Sequence, residues 1–438
     1  MGEWSKPLLE ELADISSGGT PSRTNASFWG GDIPWVTPSD ITASDTNYIF
    51  DTSDTITEQG LASSSAKLLP TGALLLTSRA TIGEVRIAAR PLATNQGFKN
   101  IVPKIGADGL FLFYQLSRLK GRFERYAAGS TFLEINRKDI GRIAVPLPDG
   151  ENEQRRIARI LQTIDRAIEK TEALIDKYHQ IKAGLMHDLF TRGIGPDGQL
   201  RPSSEQAPGL YQETPIGWMP KEWGFGPLRN KSQAGVPHIK TGPFGSSLKG
   251  EHWQQDGVPV ITIGALGEGE FIPEELLFIS ESYANLLKEY RLAPGEVVFS
   301  RVADVGRSVV VEPDQNGWVM SSNLMRIHLA QEKANPKFLQ NLLSFDSRVR
   351  KQIRCKVNSS GRDVANGQIL NSICFPWPPI EEQERMVERA FSVDRRLANE
   401  RELMRVLVKQ KSGLMHDLLT GKVAVQVEPD AESETAHV

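Results

Sequence analysis

The chain has 438 residues, with 51 lysines and arginines against 54 acidic residues and a formal net charge of −3, which argues against indiscriminate binding to nucleic acid. Cys355 and Cys374 are the only cysteines, so a disulfide framework and a four-cysteine zinc site are both excluded and a reducing cytoplasm is the expected setting. No apolar run is long enough to span a bilayer, and Met1-Gly-Glu-Trp-Ser-Lys6 does not read as a signal peptide.

Length suggests about three domain-sized units, and the pattern divides the chain in that sense. Residues 1–150 read as a first globular domain opened by Trp4. Pro34-Trp-Val-Thr37 is an apolar strand-like run, and Pro70-Thr-Gly-Ala-Leu-Leu-Leu-Thr-Ser-Arg79 is a proline–glycine turn leading into a buried strand. Gly83 and Thr94-Asn-Gln-Gly-Phe98 follow. Late in the domain Arg118, Lys120, Arg122, Arg125, Arg137, Lys138 and Arg142 stand against Glu124, Glu134 and Asp139, a window of charge +4.

Residues 151–192 read as one long helix. Ile157, Leu161, Ile164, Ile168, Ile175, Tyr178 and Leu185 recur on alternating steps of four and three, the 3.5-residue repeat of a coiled-coil seam. Pro146-Leu-Pro148 precedes it and Thr191-Arg-Gly193 supplies its stop. Residues 193–222 are expected to be a linker.

Residues 223–379 look like a diverged copy of the first domain. Trp223, Pro259-Val-Ile-Thr262, Pro294-Gly-Glu-Val-Val-Phe-Ser-Arg301, Gly306 and Ser321-Ser-Asn323 repeat its framework, and Ser359-Ser-Gly361 answers Gly129-Ser-Thr131. A second basic cluster, Arg348, Arg350, Lys351, Arg354, Lys356 and Arg362 against Asp346 and Asp363, again nets +4. Residues 380–422 repeat the helix: Gly184-Leu-Met-His-Asp-Leu-Phe190 returns as Gly413-Leu-Met-His-Asp-Leu-Leu419, and Glu153-Gln154 as Glu382-Gln383, both shifted by 229. The same shift carries the stripe to Met386, Ala390, Val393, Leu397, Met404, Leu407 and Leu414. Both stripes break at equal steps, at Thr171 and Glu400 and at Lys182 and Lys411. Residues 423–438 form an acidic tail expected to be disordered. An internal duplication of this kind makes each copy one structural unit.

The expected fold is therefore α+β and internally duplicated: two similar mixed α/β domains joined by two long antiparallel coiled-coil helices, each a rod of about 55–60 Å. Paired basic clusters on a common frame point to a phosphate backbone, against the alternative of solvated helix faces. Arg79 and Arg301 end strands before loops and could contact phosphate or guanine, or tie the loop to a carboxylate such as Asp40. Asn95 and Gln96 could read adenine edges or cap their own turn, with Asn323 in the matching turn. Ser130, Thr131, Ser359, Ser360 and Arg362 could offer hydroxyls, backbone N–H groups and charge to phosphate. Trp29, Trp35, Trp253 and Trp318 are expected in the core, and His187 and His416 at the rod ends; no metal site is expected.

Enzyme motifs are missing from the sequence. Asn335-Pro336-Lys337 lacks the second proline of an amino-methyltransferase loop, and Gly421-Lys422-Val423 lacks the leading glycine and the hydroxyl of an ATP-cradling loop. There is no His-Glu-x-x-His. A catalytically inert binding protein is expected, with a fused nuclease–methyltransferase and a protein-only coiled-coil scaffold as the rival classes.

Several of these pieces together resemble the specificity subunit of a type I restriction-modification system. They are Ile33-Pro-Trp-Val-Thr-Pro-Ser-Asp-Ile41, Thr77-Ser-Arg-Ala-Thr-Ile-Gly83, Thr94-Asn-Gln-Gly-Phe98, Pro146-Leu-Pro148 with Glu153-Gln154, Gly184-Leu-Met-His-Asp-Leu189 and Thr241-Gly-Pro-Phe-Gly-Ser-Ser-Leu-Lys249. The resemblance runs from about residue 4 to 422. It implies two target-recognition domains, each binding one half of a split site in double-stranded DNA. It also implies that the paired helices fix the gap and dock two methyltransferase (modification) subunits; the stripe Ile157, Leu161, Ile164, Ile168 and Ile175 with Met386, Val393, Leu397, Met404 and Leu407 is the expected inter-helix and partner-docking set. Endonuclease/translocase (restriction) subunits would complete the assembly. No cofactor is expected in this chain; S-adenosylmethionine, ATP and Mg would sit on the partners. A related methylation-only system is the variant reading.

Overall fold

The computed structural model describes residues 4–79, 81–126, 134–148, 150–267, 269–302, 305–359 and 364–425. They fall into two compact units, Met1–Leu174 with Glu400–Val438, and Ile175–Asn399.

The centre of the first unit is a five-stranded sheet in the order Ala13–Ser17, Phe98–Pro103, Leu74–Thr77, Val85–Ala88, Tyr48–Ile49. All its pairings are antiparallel except the last. Leu74–Thr77 is buried on both faces, as the apolar run requires. Its side chains alternate: Leu74 and Leu76 join Phe111, Leu112 and Ile157, whereas Leu75 joins Val36, Ile41 and Phe98. A side sheet follows the order Asp54–Ile56, Trp29–Val36, Ala93–Thr94, the last pair parallel. The helix Gly109–Arg118 starts where the Asp108 carboxylate accepts the Phe111 N–H at 2.8 Å.

The second unit repeats this plan. Its main sheet runs Ile239–Thr241, Leu324–Ile327, Val297–Ser300, Ser308–Val310, and its side sheet Leu277–Ile279, Val258–Ile261, Val319–Met320, again with the last pair parallel. Val297 and Phe299 face the core that holds Phe338 and Leu342, while Val298 faces Ile261 and Met320. The Asn335 side chain caps Pro336–Phe345 as Asp108 caps the first copy. The stretch 193–222 carries a hairpin, Tyr211–Thr214 with Gly217–Pro220, whose Met219 is fully buried in this unit's core.

The long helices are Glu151–Arg192 and Ile380–Leu419. In the first unit, residues 151–174 run antiparallel to residues 400–419. Ile157 and Leu161 share a core with Leu418 and Leu414, and the Asp165 carboxylate meets Lys411 Nζ at 2.6 Å. In the second unit, Met386 and Ala390 share a core with Met186 and Phe190, and Asp394 meets Lys182 at 2.6 Å. The shift of 229 carries Asp165 to Asp394 and Lys182 to Lys411, so the two ion pairs are related by the duplication. The lysines that interrupt each apolar stripe are thus the partners of an aspartate on the other helix. Thr171 is also turned inward and returns its hydroxyl to Ala167 O at 2.9 Å.

Ile157, Leu161, Ile164, Met386 and Leu397 are buried, and Ile168, Ile175, Val393, Met404 and Leu407 are half-buried. His187 and His416, expected to pack at the helix ends, are exposed instead. Met186, Leu189 and Leu418 take the inward positions, and an adjacent residue is turned about 100° away by helix geometry.

Both helices close in the same way. Gly193 and Gly421 adopt left-handed backbone, φ 68° and 70°. Within the second unit Trp223 lies against Gly193, and within the first Trp4 lies against Gly421. The last carbonyls are also bound: Phe190 O accepts from Arg348 at 2.7 Å and Leu419 O, 229 residues later, from Gln115 Nε2 at 2.8 Å.

Candidate nucleic-acid interface

The Glu-Gln signature is structural in both copies. Gln154 Oε1 accepts the Asp108 N–H at 2.9 Å and its Nε2 donates to Gly106 O and Pro148 O. Gln383 repeats this on Asn335 N–H and Pro378 O, both at 2.9 Å. Each glutamine therefore joins the start of a long helix to the start of the helix beneath the main sheet. Glu382 is nearly fully buried, receives the Ile194 N–H at 2.9 Å and is held bidentately by Arg201 at 2.5 and 3.0 Å.

The loops at the ends of the central strands form the candidate surface, and hydrogen bonds set their equivalences. Gly83 N–H donates to Thr77 O and Gly306 N–H to Ser300 O; Ser78 N–H donates to Gly97 O and Arg301 N–H to Asn323 O. Ile135 N–H donates to Ser78 O and Ala365 N–H to Arg301 O. Arg301 therefore occupies the place of Ser78, and Val302 that of Arg79. The isolated bridges Arg79↔Glu134 and Val302↔Val364 agree. The two Ser-Arg strand ends that look alike in sequence are offset by one residue, because the strand ladder, not the dipeptide, fixes which side chain leaves the sheet where.

This offset gives the two units different chemistry at one place. In the first, Arg79 pairs with Glu134 at 2.8 Å, and the almost buried Lys99 reaches Glu134 at 3.3 Å and Ser78 Oγ at 3.2 Å. Burial raises the Glu134 carboxyl, but hydrogen bonds from Arg79 and Lys99 outweigh it and hold the group below the ordinary glutamate value. In the second unit Met325 stands at the Lys99 position and Val364 at the Glu134 position. Arg301 instead donates to Ala365 O at 3.2 Å and Ser322 O at 3.4 Å. The carboxylate that ties the Arg79 loop is Glu134. Asp40 is occupied by Thr37 and Ser53, whose hydrogen bonds overcome burial to hold its carboxyl low.

The remaining sequence candidates separate clearly. Asn95 Oδ1 accepts the Gly97 N–H at 2.8 Å and so caps its own turn. Gln96 is exposed and its Oε1 accepts from the Thr20 hydroxyl. Asn323 is exposed in the matching turn. Ser130, Thr131, Ser360, Arg362 and the Ser359 side chain lie outside the described residues. Arg122, Arg125, Arg137, Lys138 and Arg142 are exposed, and among the described residues none pairs with a carboxylate. Lys120 is held by Glu84 at 2.6 Å, and Arg348 by Asp346 and the Phe190 carbonyl, so both are taken by the fold. Of the tryptophans expected in the core, Trp35 is buried and Trp29, Trp253 and Trp318 are half-buried. The Arg23 guanidinium lies 3.7 Å above the Trp29 ring.

Sequence reasoning missed three groups. Lys99 reads as one of many cations until the sheet buries it. Glu134 reads as charge balance until it meets Arg79. The third is a buried cluster in which Asp165 accepts from Tyr114 at 2.6 Å and Asn47 at 2.8 Å beside its lysine. Burial and the Asp165 charge push the Tyr114 hydroxyl far above the ordinary phenol value.

Comparison with known proteins places this arrangement. The family described as Type I restriction modification DNA specificity domain matches residues 1–177 and 229–407. The type I restriction enzyme MjaIX specificity subunit of Methanocaldococcus jannaschii is 27% identical over 435 residues, covering 97% of this chain and 94% of that protein. The type I restriction-modification S subunit from M. genitalium shares the fold with a TM-score of 0.58 at 16% identity, covering 95% of this chain and 96% of that one. A structure described as the basis of complex assembly and conformational transition of the type I R-M system gives 0.55 over 97% and 99% of the two chains.

Proposed function

The chain belongs to the type I restriction modification DNA specificity family, and from that premise we propose that it selects the double-stranded DNA sequence on which a restriction-modification complex acts. Each unit's domain reads one half of a split site. The antiparallel helices set the unread spacer and offer equivalent docking positions to two methyltransferase subunits, and endonuclease/translocase subunits complete the assembly. Methyl transfer and ATP-driven cleavage are carried by those partners, with S-adenosylmethionine, ATP and Mg bound there; this chain contributes recognition and carries no catalysis of its own.

One observation supports this reading above the others: the same sheet frame occurs twice with different side chains at equivalent loop positions, as at the exposed Arg79 and its counterpart Val302. Duplication for stability alone gives no reason for the frame to persist while its exposed positions diverge. Two readers of two different half-sites do. Duplication also presents identical partners with two equivalent surfaces. The acidic balance of the whole chain is compatible, since phosphate contact needs only local exposed cations such as Arg137 and Lys138.

The test is methylation mapping in a methylation-free host that expresses this chain with its modification subunit. The expected result is one split motif carrying modified adenines, lost when this chain is omitted. A methylome indifferent to this chain, with the complex demonstrably formed, would replace DNA selection by the scaffold reading. ATP-dependent cleavage of unmodified DNA bearing the motif separates a restricting complex from one that only methylates.

A further inference from the structure

Thr241-Gly-Pro-Phe-Gly-Ser-Ser247 holds a side chain that the described residues leave largely uncovered. Phe244 is 85% exposed, whereas the adjacent Pro243 is buried. The loop is anchored on every side. Gly242 N–H donates to Leu324 O at 2.9 Å, Ser247 N–H to Phe244 O at 2.8 Å, and Tyr283 Oη donates to Ser247 O at 2.6 Å. His252, whose Nδ1 accepts the Lys249 N–H at 3.0 Å, stacks on the Tyr283 ring at 4.2 Å. A pinned turn thus holds an apolar ring out in water.

Its place in the frame is defined by the other unit. A Cβ on Gly242 would meet Ser321 O at 1.9 Å, and one on Gly18 would meet Asn95 O at 2.1 Å. Thr241 pairs with Met325 and Ser17 with Lys99. These matches set Thr20 opposite Phe244 and Gln96 opposite Ser322. In the first unit the position is polar, with Thr20 bonded to Gln96. In the second it is aromatic, and Ser322 offers its carbonyl to Arg301.

We propose that Phe244 is a base-contacting, specificity-determining residue of the second domain, making apolar contact with a base of the half-site that this domain reads. The inference rests on the DNA-selection reading above. The chemistry supports it in three ways. A phenylalanine ring suits a thymine methyl or an unstacked base face, contacts that carry sequence information without a hydrogen bond. A rigid loop avoids the ordering cost that a mobile side chain meets on binding. The loop that carries the ring lies beside the Ser321-Ser-Asn323 turn, where a Cβ on Gly245 would stand 3.8 Å from Ser322 Oγ, and Ser322 O accepts from Arg301, so a cation for phosphate or guanine is held by the neighbouring turn.

The experiment uses the full chain assembled with its modification subunits, comparing wild type, F244A and L286A. Leu286 is 77% exposed on the short helix Glu281–Leu286 of the same unit and controls for loss of any exposed apolar side chain. For F244A, binding to the native site should weaken about 5- to 100-fold, the range for losing one base contact. Methylation mapping should show relaxed choice at one or two adjacent positions of one half-motif. The other half-motif, complex assembly and the melting temperature should not change, and L286A should match wild type. An unchanged motif and affinity in F244A overturns the proposal, as does an equal loss in L286A, or a loss confined to complex assembly. A wild-type complex that methylates no split motif removes the DNA-selection reading itself, and this proposal with it, before any variant is compared.

Discussion

Replacing Asp165 by alanine should destabilise the first unit far more than D394A destabilises the second, although the two residues are related by the duplication. Asp165 is 5% exposed and satisfies three donors: Tyr114 at 2.6 Å, Lys411 at 2.6 Å and Asn47 at 2.8 Å. Tyr114 is itself buried, so its hydroxyl would lose its partner at about 1–3 kcal/mol. Lys411 is partly exposed and regains water, adding about 1 kcal/mol. The sum, about 3 kcal/mol, lies at the lower end of the range for breaking a buried ion pair. Asp394 has its side chain 31% exposed, and Lys182 also lies 4.5 Å from the Phe345 ring centroid, a second partner that remains after truncation. D394A should therefore cost about 1 kcal/mol. Hydrogen exchange read peptide by peptide is the suitable assay, because a two-unit chain is not a two-state unfolder. Faster exchange in residues 151–174 and 400–419 is expected for D165A, with a D165A/Y114F coupling of about 1–2 kcal/mol. Equal costs for D165A and D394A, or strict additivity of D165A with Y114F, would refute the assignment of this cluster as the dominant polar contact.

Two further outcomes follow from the same geometry. G193A should be more damaging than G421A: both carry positive φ at about 1–2 kcal/mol, but a Cβ at Gly193 meets Glu382 Oε1 at 2.2 Å and the Trp223 ring at 2.5 Å, whereas at Gly421 the Trp4 ring is 3.0 Å away. Thermal melting should rank them in that order, and equal shifts would contradict it. Acid should weaken the first unit through Glu134, whose folded carboxyl is held low by Arg79 and Lys99 against the opposing effect of burial. That stability is present above the unfolded glutamate value of about 4.3 and is lost as pH falls through the lower folded value. E134Q should flatten the acid limb of a stability–pH curve, and an unchanged limb would show that the Arg79–Lys99 contacts contribute nothing.

The helix pair was legible because its signal is local and periodic. A 3.5-residue stripe repeated at a shift of 229, with equal interruptions, needs no tertiary information to be recognised. The reason for the interruptions was not legible. Lys182 and Lys411 each meet an aspartate more than 200 residues away in sequence, and no spacing rule relates them. Strand existence was also readable, since Leu74–Thr77 and Val297–Ser300 are continuous apolar runs behind proline–glycine turns. Their register was not. The Ser-Arg dipeptides align in sequence, yet the ladder sets Arg301 opposite Ser78, and a one-residue slip changes which face a side chain occupies. The expectation for the histidines failed on the same kind of point, because one step along a helix separates the inward Met186 from the outward His187.

By itself the sequence determined the duplication, the two sheet-bearing domains, the paired antiparallel helices with their glycine stops, and the resemblance that led to DNA selection. All of these are repeated or periodic, so they are written many times over in neighbouring residues. Tertiary structure alone decided that Glu134 binds Arg79 and Lys99, that Arg201 locks Glu382, that Asp165 gathers Tyr114, Asn47 and Lys411, and that Phe244 is left facing water. Each of these depends on which single atoms converge across long chain separations, and the free energy of such a contact is set by burial and geometry that exist only after the sheets and helices have packed.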